Sequence, residues 1–178
     1  MKYSIFHTSH CGSTLLSCLL SKSLPTLTEP SWSHEAKSFL DLDEKVDFVK
    51  KHHQDNYLVK YPSTLTDVIP HMEGKKIFLY RNFEDHIRKM IAIKIEGDYL
   101  VQQDGVFWSQ RFLWACVSQD TIFMQSDFLF NNQQDAARIA CEHFGVEYVP
   151  VENINFHVKE KGYNHQDEPI NLDKNDIA

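Results

Sequence analysis

A chain of 178 residues with 42% hydrophobic and 24% charged side chains holds enough apolar material for one domain with a core, and no apolar run in it approaches the ~20 residues that span a bilayer. The formal charge of -7 and a pI near 5.8 argue against a protein that holds nucleic acid through its overall field, while leaving room for a local basic pocket that takes one small anion. The N-terminus lacks the charged-then-apolar plan of a secretory signal, and Cys11, Cys18, Cys116 and Cys141 are too scattered for a disulfide framework or a Cys-x-x-Cys knuckle, so a cytoplasmic protein with reduced thiols is expected.

The first predicted strand is Tyr3-Ser4-Ile5-Phe6, and a helix follows in which Leu15, Leu16, Leu19 and Leu20 recur on one face. Between them lies Ser9-His10-Cys11-Gly12-Ser13-Thr14. Strand, tight loop and helix in that order bring backbone N–H groups and the positive end of a helix onto an anion. Gly12 lets the backbone approach a phosphate, and Ser13 and Thr14 add hydroxyl donors. The same residues also fit a Gly-Ser turn that does no more than cap a buried helix. A nucleotide-triphosphate loop of the Gly-x-x-x-x-Gly-Lys-Ser/Thr kind does not fit, because the second Gly and the Lys are absent. The stretch resembles the loop of the P-loop sulfotransferases: a basic residue, Ser, Gly, then Ser or Thr repeated. His10 stands at the basic position and Cys11 at the Ser. His7, His10 and Cys11 crowd into one turn, which rarely reaches the tetrahedral geometry of a metal centre, so no metal is expected.

Pro25 closes that segment, and Thr26-Leu27-Thr28 reads as a short extended piece ending at Glu29-Pro30, where the proline biases Glu29 toward extended backbone. A carboxylate is then presented at a strand end, beside the loop if the two strands are neighbours; otherwise it is an exposed Glu before a Pro. In the sulfotransferases that modify tyrosine in secreted proteins, a Glu at nearly this separation is the catalytic base, and the resemblance implies that role for Glu29. Residues 31–54 read as polar and helical, with Val46, Phe48 and Val49 among charges and Asp43 available as an N-cap. Trp32 and His34 at its start either line a substrate pocket or simply pack. His52 and His53, followed by Gln54, Asp55 and Asn56, read as a solvated helix end. Tyr57-Leu58-Val59-Lys60 is the next strand, with Lys60 at the carboxyl end, where open α/β sheets bind their ligands. It is either a strand-end surface charge or, as the resemblance implies, the group that stabilises charge on the bridging oxygen during transfer.

A turn or helix over 66–70 leads through Gly74 to Ile77-Phe78-Leu79-Tyr80, the most continuous apolar run in the chain, as expected of a central parallel strand covered on both faces. Arg81 follows, then Asn82 as an N-cap and Glu84 and Asp85 in the first turn of a helix through Ile87, Met90, Ile91 and Lys94. Sulfotransferases follow their buried strand with Arg, Asp or Asn, Pro, a further acidic residue, and Ser one helical turn on, the Arg and Ser holding the 3′-phosphate of the nucleotide. Arg81, Asn82 and Asp85 fit that pattern, whereas Phe83 replaces the Pro and Lys89 the Ser. The resemblance implies that Arg81 grips the 3′-phosphate; Lys89 either supplies charge where the family supplies a hydroxyl or points away. Residues 98–119 read as a packed helix with Trp108 near Phe112, and Thr121–Gln125 as a strand with a turn at 126–129. A helix over 132–144 follows, with Ala136, Ile139, Ala140 and Phe144 inward and Gly145 at C′. The family's closing strand, Tyr-Glu-Asp-Leu, helix and Phe-Leu-Gly are loosely similar to this part of the chain.

Four β-like runs alternating with helices predict an α/β domain over residues 1–158, a parallel doubly wound sheet with flanking helices and right-handed crossovers, and a polar tail or surface-hugging extension over 159–178. The resemblance runs in order over roughly residues 1–150 and implies the P-loop NTPase-like sulfotransferase architecture. It also implies 3′-phosphoadenosine 5′-phosphosulfate (PAPS) as donor and in-line transfer of a sulfuryl group to a hydroxyl or amine of an acceptor that nothing in the chain specifies. Cys11, Gly12, Ser13 and Thr14 would hold the phosphosulfate, with His10 charged where a nearby dianion favours its protonated form. Two other readings stay open. A non-catalytic nucleotide-binding or interaction module with this fold accounts for the substitutions at His10, Phe83 and Lys89. A small P-loop kinase-like enzyme lacks its lysine and a magnesium-binding partner.

Overall fold

Five segments pair side by side in the computed structural model of the chain, which describes residues 1–93, 98–152, 154, 163 and 165–172. They are β1 (Tyr3–His7), β2 (Thr26–Thr28), β3 (Leu58–Lys60), β4 (Lys75–Tyr80) and β5 (Thr121–Gln125). All pairs are parallel and the order across the sheet is β2-β3-β1-β4-β5. The short extended piece at Thr26–Thr28 is thus a fifth strand. The long apolar run lies in β4, which is interior, but the centre of the sheet belongs to β1. All five residues of β1 are buried, as are four of the six in β4. Strands covered on both faces need no polar alternation, which is why they read as continuous apolar runs.

Two cores follow from the two faces. Ile5, Leu58, Ile77 and Leu79 point to one side, against α1 (Ser13–Leu20) and α7 (Gln133–Phe144). Phe6, Val59 and Phe78, the alternate positions, point to the other. There they meet α3 (Leu42–His52), the 3₁₀ stretch Ser63–His71 and Ala115 near the end of α5 (Asp98–Cys116). The remaining helices are α2 (Ser31–Glu35), α4 (Phe83–Ile93) and α6 (Ser126–Asn131). Among the described residues no helix is long and apolar enough to cross a membrane, and all four cysteines are free.

Several expectations need correction. The helical stretch after Pro30 is three pieces, α2, a 3₁₀ turn at Ala36–Ser38 and α3. The N-cap of α3 is Asp41, whose carboxylate accepts from the Glu44 N–H at 3.0 Å, so Asp43 lies inside the helix. His53 is no solvated end: it is 2% exposed. Residues 126–129 open a helix, α6, instead of forming a turn. In α7 Ile139 faces solvent, and Ala137 and Cys141 join the inward face. Trp108 does stack on Phe112, with ring centroids 5.0 Å apart, yet Phe107, Leu113 and Trp114 point outward from α5. Lys94 lies outside the described residues, as does much of the stretch after 159. The described part of that stretch lies along β2, donating from the N–H of Gln166 and Ile170 to the carbonyls of Thr28 and Thr26 at 2.9 Å each.

Since β1 has β3 on one side and β4 on the other, the chain leaves the centre in one direction first and in the other later. That reversal opens a crevice beyond the carboxyl ends of the strands, where open α/β sheets place ligands. The loop after β1, Glu29 after β2, Lys60 at the end of β3 and Arg81 after β4 all emerge there.

Candidate functional site

The loop after β1 is curled by its backbone. Ser9, His10 and Gly12 have φ of 85°, 47° and 88°, in the left-handed region. His7 anchors this curl: its Nε2–H donates to the Tyr61 carbonyl at 3.0 Å, leaving Nδ1 to accept from the Ser9 N–H at 3.0 Å. Burial, followed by the charge of Lys60, holds His7 well below the usual histidine range, so the ring stays neutral and Nδ1 stays an acceptor. A Cβ on Gly12 would lie 2.9 Å from Phe130 Cζ, so φ and the packing of α6 both demand glycine. The N-cap of α1 is Gly12, which has no side chain to cap with, and a helix beginning this way presents its first N–H groups to an anion. The Cys11 thiol takes no part. It turns into the core, donates to the Leu79 carbonyl at 3.4 Å, and burial pushes its pKa up to about 11. Cys11 therefore meets the crevice with its backbone only.

The loop is tied to the end of β4. Arg81 donates from Nη2 to the His10 carbonyl at 3.1 Å and from its N–H to the Thr8 hydroxyl at 3.3 Å. The Ser126 hydroxyl reaches the carbonyls of both Cys11 (2.9 Å) and Tyr80 (3.1 Å). Trp108 Nε1 donates to the Arg81 carbonyl at 2.9 Å, so α5 fixes where this residue begins. The Arg81 Nε–H is buried and has no hydrogen-bond partner among the described residues, and such a donor is a candidate for a ligand acceptor.

β2 and β1 are not neighbours, because β3 lies between them. Glu29 nevertheless reaches the crevice through Lys60 on that intervening strand. Lys60, 2% exposed, forms an ion pair with Glu29 Oε1, and the Glu29 N–H donates to the Lys60 carbonyl at 2.8 Å. Glu29 itself has φ 44°, a conformation that costs an L-residue roughly 1–2 kcal/mol. The other carboxylate oxygen lies 3.5 Å from His34 Nε2 and 3.5 Å from His165 Nδ1.

All nine residues singled out from the sequence, His10, Cys11, Gly12, Ser13, Thr14, Glu29, Lys60, Arg81 and Lys89, line one cavity of about 580 Å³. Lys37 lines it too, so among the described residues four cationic side chains face one carboxylate, in a chain whose formal charge is -7. Lys89 is exposed at the rim. Trp32 packs elsewhere, with its ring 5.9 Å from Tyr61 and 5.8 Å from His52 in the second core. Sequence reasoning passed over Lys37 and His165, and weighed His7 only as a metal ligand. His7 closes a strand and was separable from its neighbours only by burial. Lys37 lies three residues after His34, a spacing that puts both on one helical face. Nothing in the sequence around His165 marks it.

No family model and no curated protein sequence matches the chain. Solved structures do. The sulfotransferase domain from the curacin biosynthetic pathway superposes with a TM-score of 0.51 at 17% identity, covering 84% of this chain and 75% of that one. A sulfotransferase from Alicyclobacillus acidocaldarius superposes with a TM-score of 0.50 at 12% identity, over 90% of this chain and 88% of that one. At such identities the likeness is one of fold: the parallel α/β architecture of this chain matches that of these sulfotransferase domains.

Proposed function

We propose that this chain is a sulfotransferase that takes a sulfuryl group from PAPS and places it on a hydroxyl or amine of an acceptor. The observation that carries this reading is the convergence of the glycine-started N-terminus of α1, the Glu29–Lys60 pair and Arg81 on one cationic cavity. PAPS is anionic at both ends, and the cavity offers donors at two places to match. The backbone N–H groups from Cys11 to Thr14, with the hydroxyls of Ser13 and Thr14, hold the phosphosulfate and stabilise the departing phosphate. Arg81, whose buried Nε–H has no partner among the described residues, turns its fork of donors to the 3′-phosphate, with Lys89 adding charge at the rim. His10 sits in the loop where the phosphosulfate's charge favours its protonated form.

In the reaction the acceptor oxygen or nitrogen attacks sulfur as the bond from sulfur to the bridging oxygen breaks. Glu29 takes the acceptor's proton, and Lys60 neutralises charge growing on the bridging oxygen, leaving adenosine 3′,5′-bisphosphate. The ion pair with Lys60 holds the Glu29 carboxylate in place until the acceptor arrives. This scheme uses no metal.

Calorimetry with adenosine 3′,5′-bisphosphate in the presence of a chelator tests the reading. Metal-independent binding weakened at least tenfold in Arg81→Ala is expected, about 1.4 kcal/mol or more for a charge-assisted contact. Absence of binding, or binding of ATP only with magnesium, overturns it. Glu29→Gln separates an enzyme from a binding module: retained nucleotide affinity with lost turnover fits the base, and a wild type that binds yet transfers nothing to any offered hydroxyl or amine favours the module.

A further inference from the structure

We propose that Glu29, His34 and His165 form a site for a divalent transition-metal ion, Zn²⁺ above all, at the edge of this cavity. Two histidines and one carboxylate form a zinc ligand set that leaves a coordination position open. Three different elements deliver them: Glu29 follows β2, His34 lies on α2, and His165 comes from the polar stretch beside β2. That stretch is held in place around His165. The Gln166 N–H donates to the Thr28 carbonyl at 2.9 Å, and the Asp167 carboxylate accepts from the N–H and hydroxyl of Ser31 at 2.7 and 2.8 Å.

The spacing of the three ligand atoms is that of one tetrahedral face. His34 Nε2 and His165 Nδ1 are 3.1 Å apart, and each is 3.5 Å from Glu29 Oε2. Ligands at Zn–N and Zn–O lengths of ~2.0–2.1 Å in tetrahedral array stand ~3.3–3.4 Å from one another. A triangle with the observed edges has a circumscribed radius of about 2.0 Å, just under the metal–ligand length. An ion at bonding distance from all three atoms therefore sits ~0.4–0.8 Å above their plane, as the centre of a tetrahedron does above one face. Both distances to Oε2 are too long for good hydrogen bonds, so the metal-free arrangement leaves this oxygen poorly used.

The surroundings suit a ligand carboxylate. Lys60 holds Oε1, and carboxylates that bind metals are oriented by such a hydrogen bond on the second oxygen. One contact opposes the ion. Lys37 Nζ donates to His34 Nδ1 at 2.8 Å, so His34 Nε2 carries the proton and donates it to His165. Metal on Nε2 moves that proton to Nδ1, and the exposed Lys37 side chain must swing away. The ion also takes the oxygen that would accept a proton from an acceptor, so the metal-loaded state is closed to transfer.

This inference does not need the transfer reading, because the ion is measured alone. Zn²⁺ is titrated into the full chain against a chromophoric chelator, with thermal melts confirming that each variant folds. One equivalent bound is expected, weakened at least tenfold in His34→Gln and in His165→Gln and tightened in Lys37→Ala. His165 is 66% exposed at its side chain, so its replacement leaves the core intact. His71→Gln, an exposed histidine far from these ligands in the chain, retains wild-type affinity. Wild-type affinity in both His34→Gln and His165→Gln, or no stoichiometric binding by the unmodified chain, overturns the site.

Discussion

His53 shows how much one side chain contributes when its proton is withheld. Its Nε2–H donates to the Tyr57 carbonyl at 3.1 Å and its Nδ1 accepts from the Tyr61 hydroxyl at 2.7 Å. Burial pushes its pKa down to about 4, and burial raises that of Tyr61 well above the phenolic range, so the hydroxyl remains a donor. The unfolded chain binds a proton at this histidine near pH 6.5, whereas the folded chain waits until about pH 4. Its contribution is therefore complete above ~6.5 and is lost as pH falls toward 4, on the order of 3 kcal/mol for a shift of that size. His86, also pushed down to about 4 chiefly by burial, acts in the same direction. Melting temperatures between pH 7 and 4.5 should fall steeply in the wild type and less steeply in His53→Gln; a flat wild-type profile contradicts this. The sequence around His53 misleads because Gln54, Asp55 and Asn56 are polar. Local polarity reports the neighbours' solvation and says nothing of a pocket made by Tyr61, eight residues on.

At the scale of elements, what could be read was whatever is encoded within one strand, loop and helix. β1, the loop and α1 are contiguous, and burial on both faces of β1 and β4 leaves an unbroken apolar signature. Order across the sheet is not local. Glu29 looked like a neighbour of the loop, yet β3 separates β2 from β1, and Lys60 makes the connection. The same limit hid α6, whose six residues are too few for a helical period to show. In the loop itself the requirement for glycine is testable. Gly12→Ala carries the left-handed penalty of roughly 1–2 kcal/mol and drives Phe130 aside, since its Cβ falls 2.9 Å from the ring. A drop in stability of that size is expected, with nucleotide affinity reduced at least tenfold because the first N–H groups of α1 lose their aim. Adding Phe130→Ala removes the clash and leaves the backbone penalty. A Gly12→Ala variant that melts and binds as the wild type does shows that the curl is dispensable.

For the whole molecule, the polar stretch after residue 159 turns out to be structural where it is described. Tyr163 and Ile170 belong to the first core together with Val151 and Ile154, and the carbonyl of Tyr163 accepts from the hydroxyl of Thr28. With Gln166 and Ile170 donating to the carbonyls of Thr28 and Thr26, the outer edge of β2 is covered. An uncovered edge is a template for unwanted pairing. The sequence hid this role because the few apolar residues here, interrupted by Pro169, are too sparse among polar ones to establish a period for helix or strand. Deleting residues 163–178 strips Ile170 from the core and frees the carbonyls of β2. A buried Ile to Ala change alone costs about 2–5 kcal/mol, so a loss of ~3 kcal/mol or more is expected, roughly 6–12 °C in melting temperature for a domain of this size. The deletion should also raise aggregation, since β2 is short but newly exposed. The groups assigned to the nucleotide, from His10 to Lys89, all precede the deleted stretch. Affinity for adenosine 3′,5′-bisphosphate, measured well below the melting temperature, should then match the full chain while Zn²⁺ affinity is lost with His165. Loss of both together means that the stretch holds the cavity itself in shape, and loss of neither returns it to the standing of a passive tail.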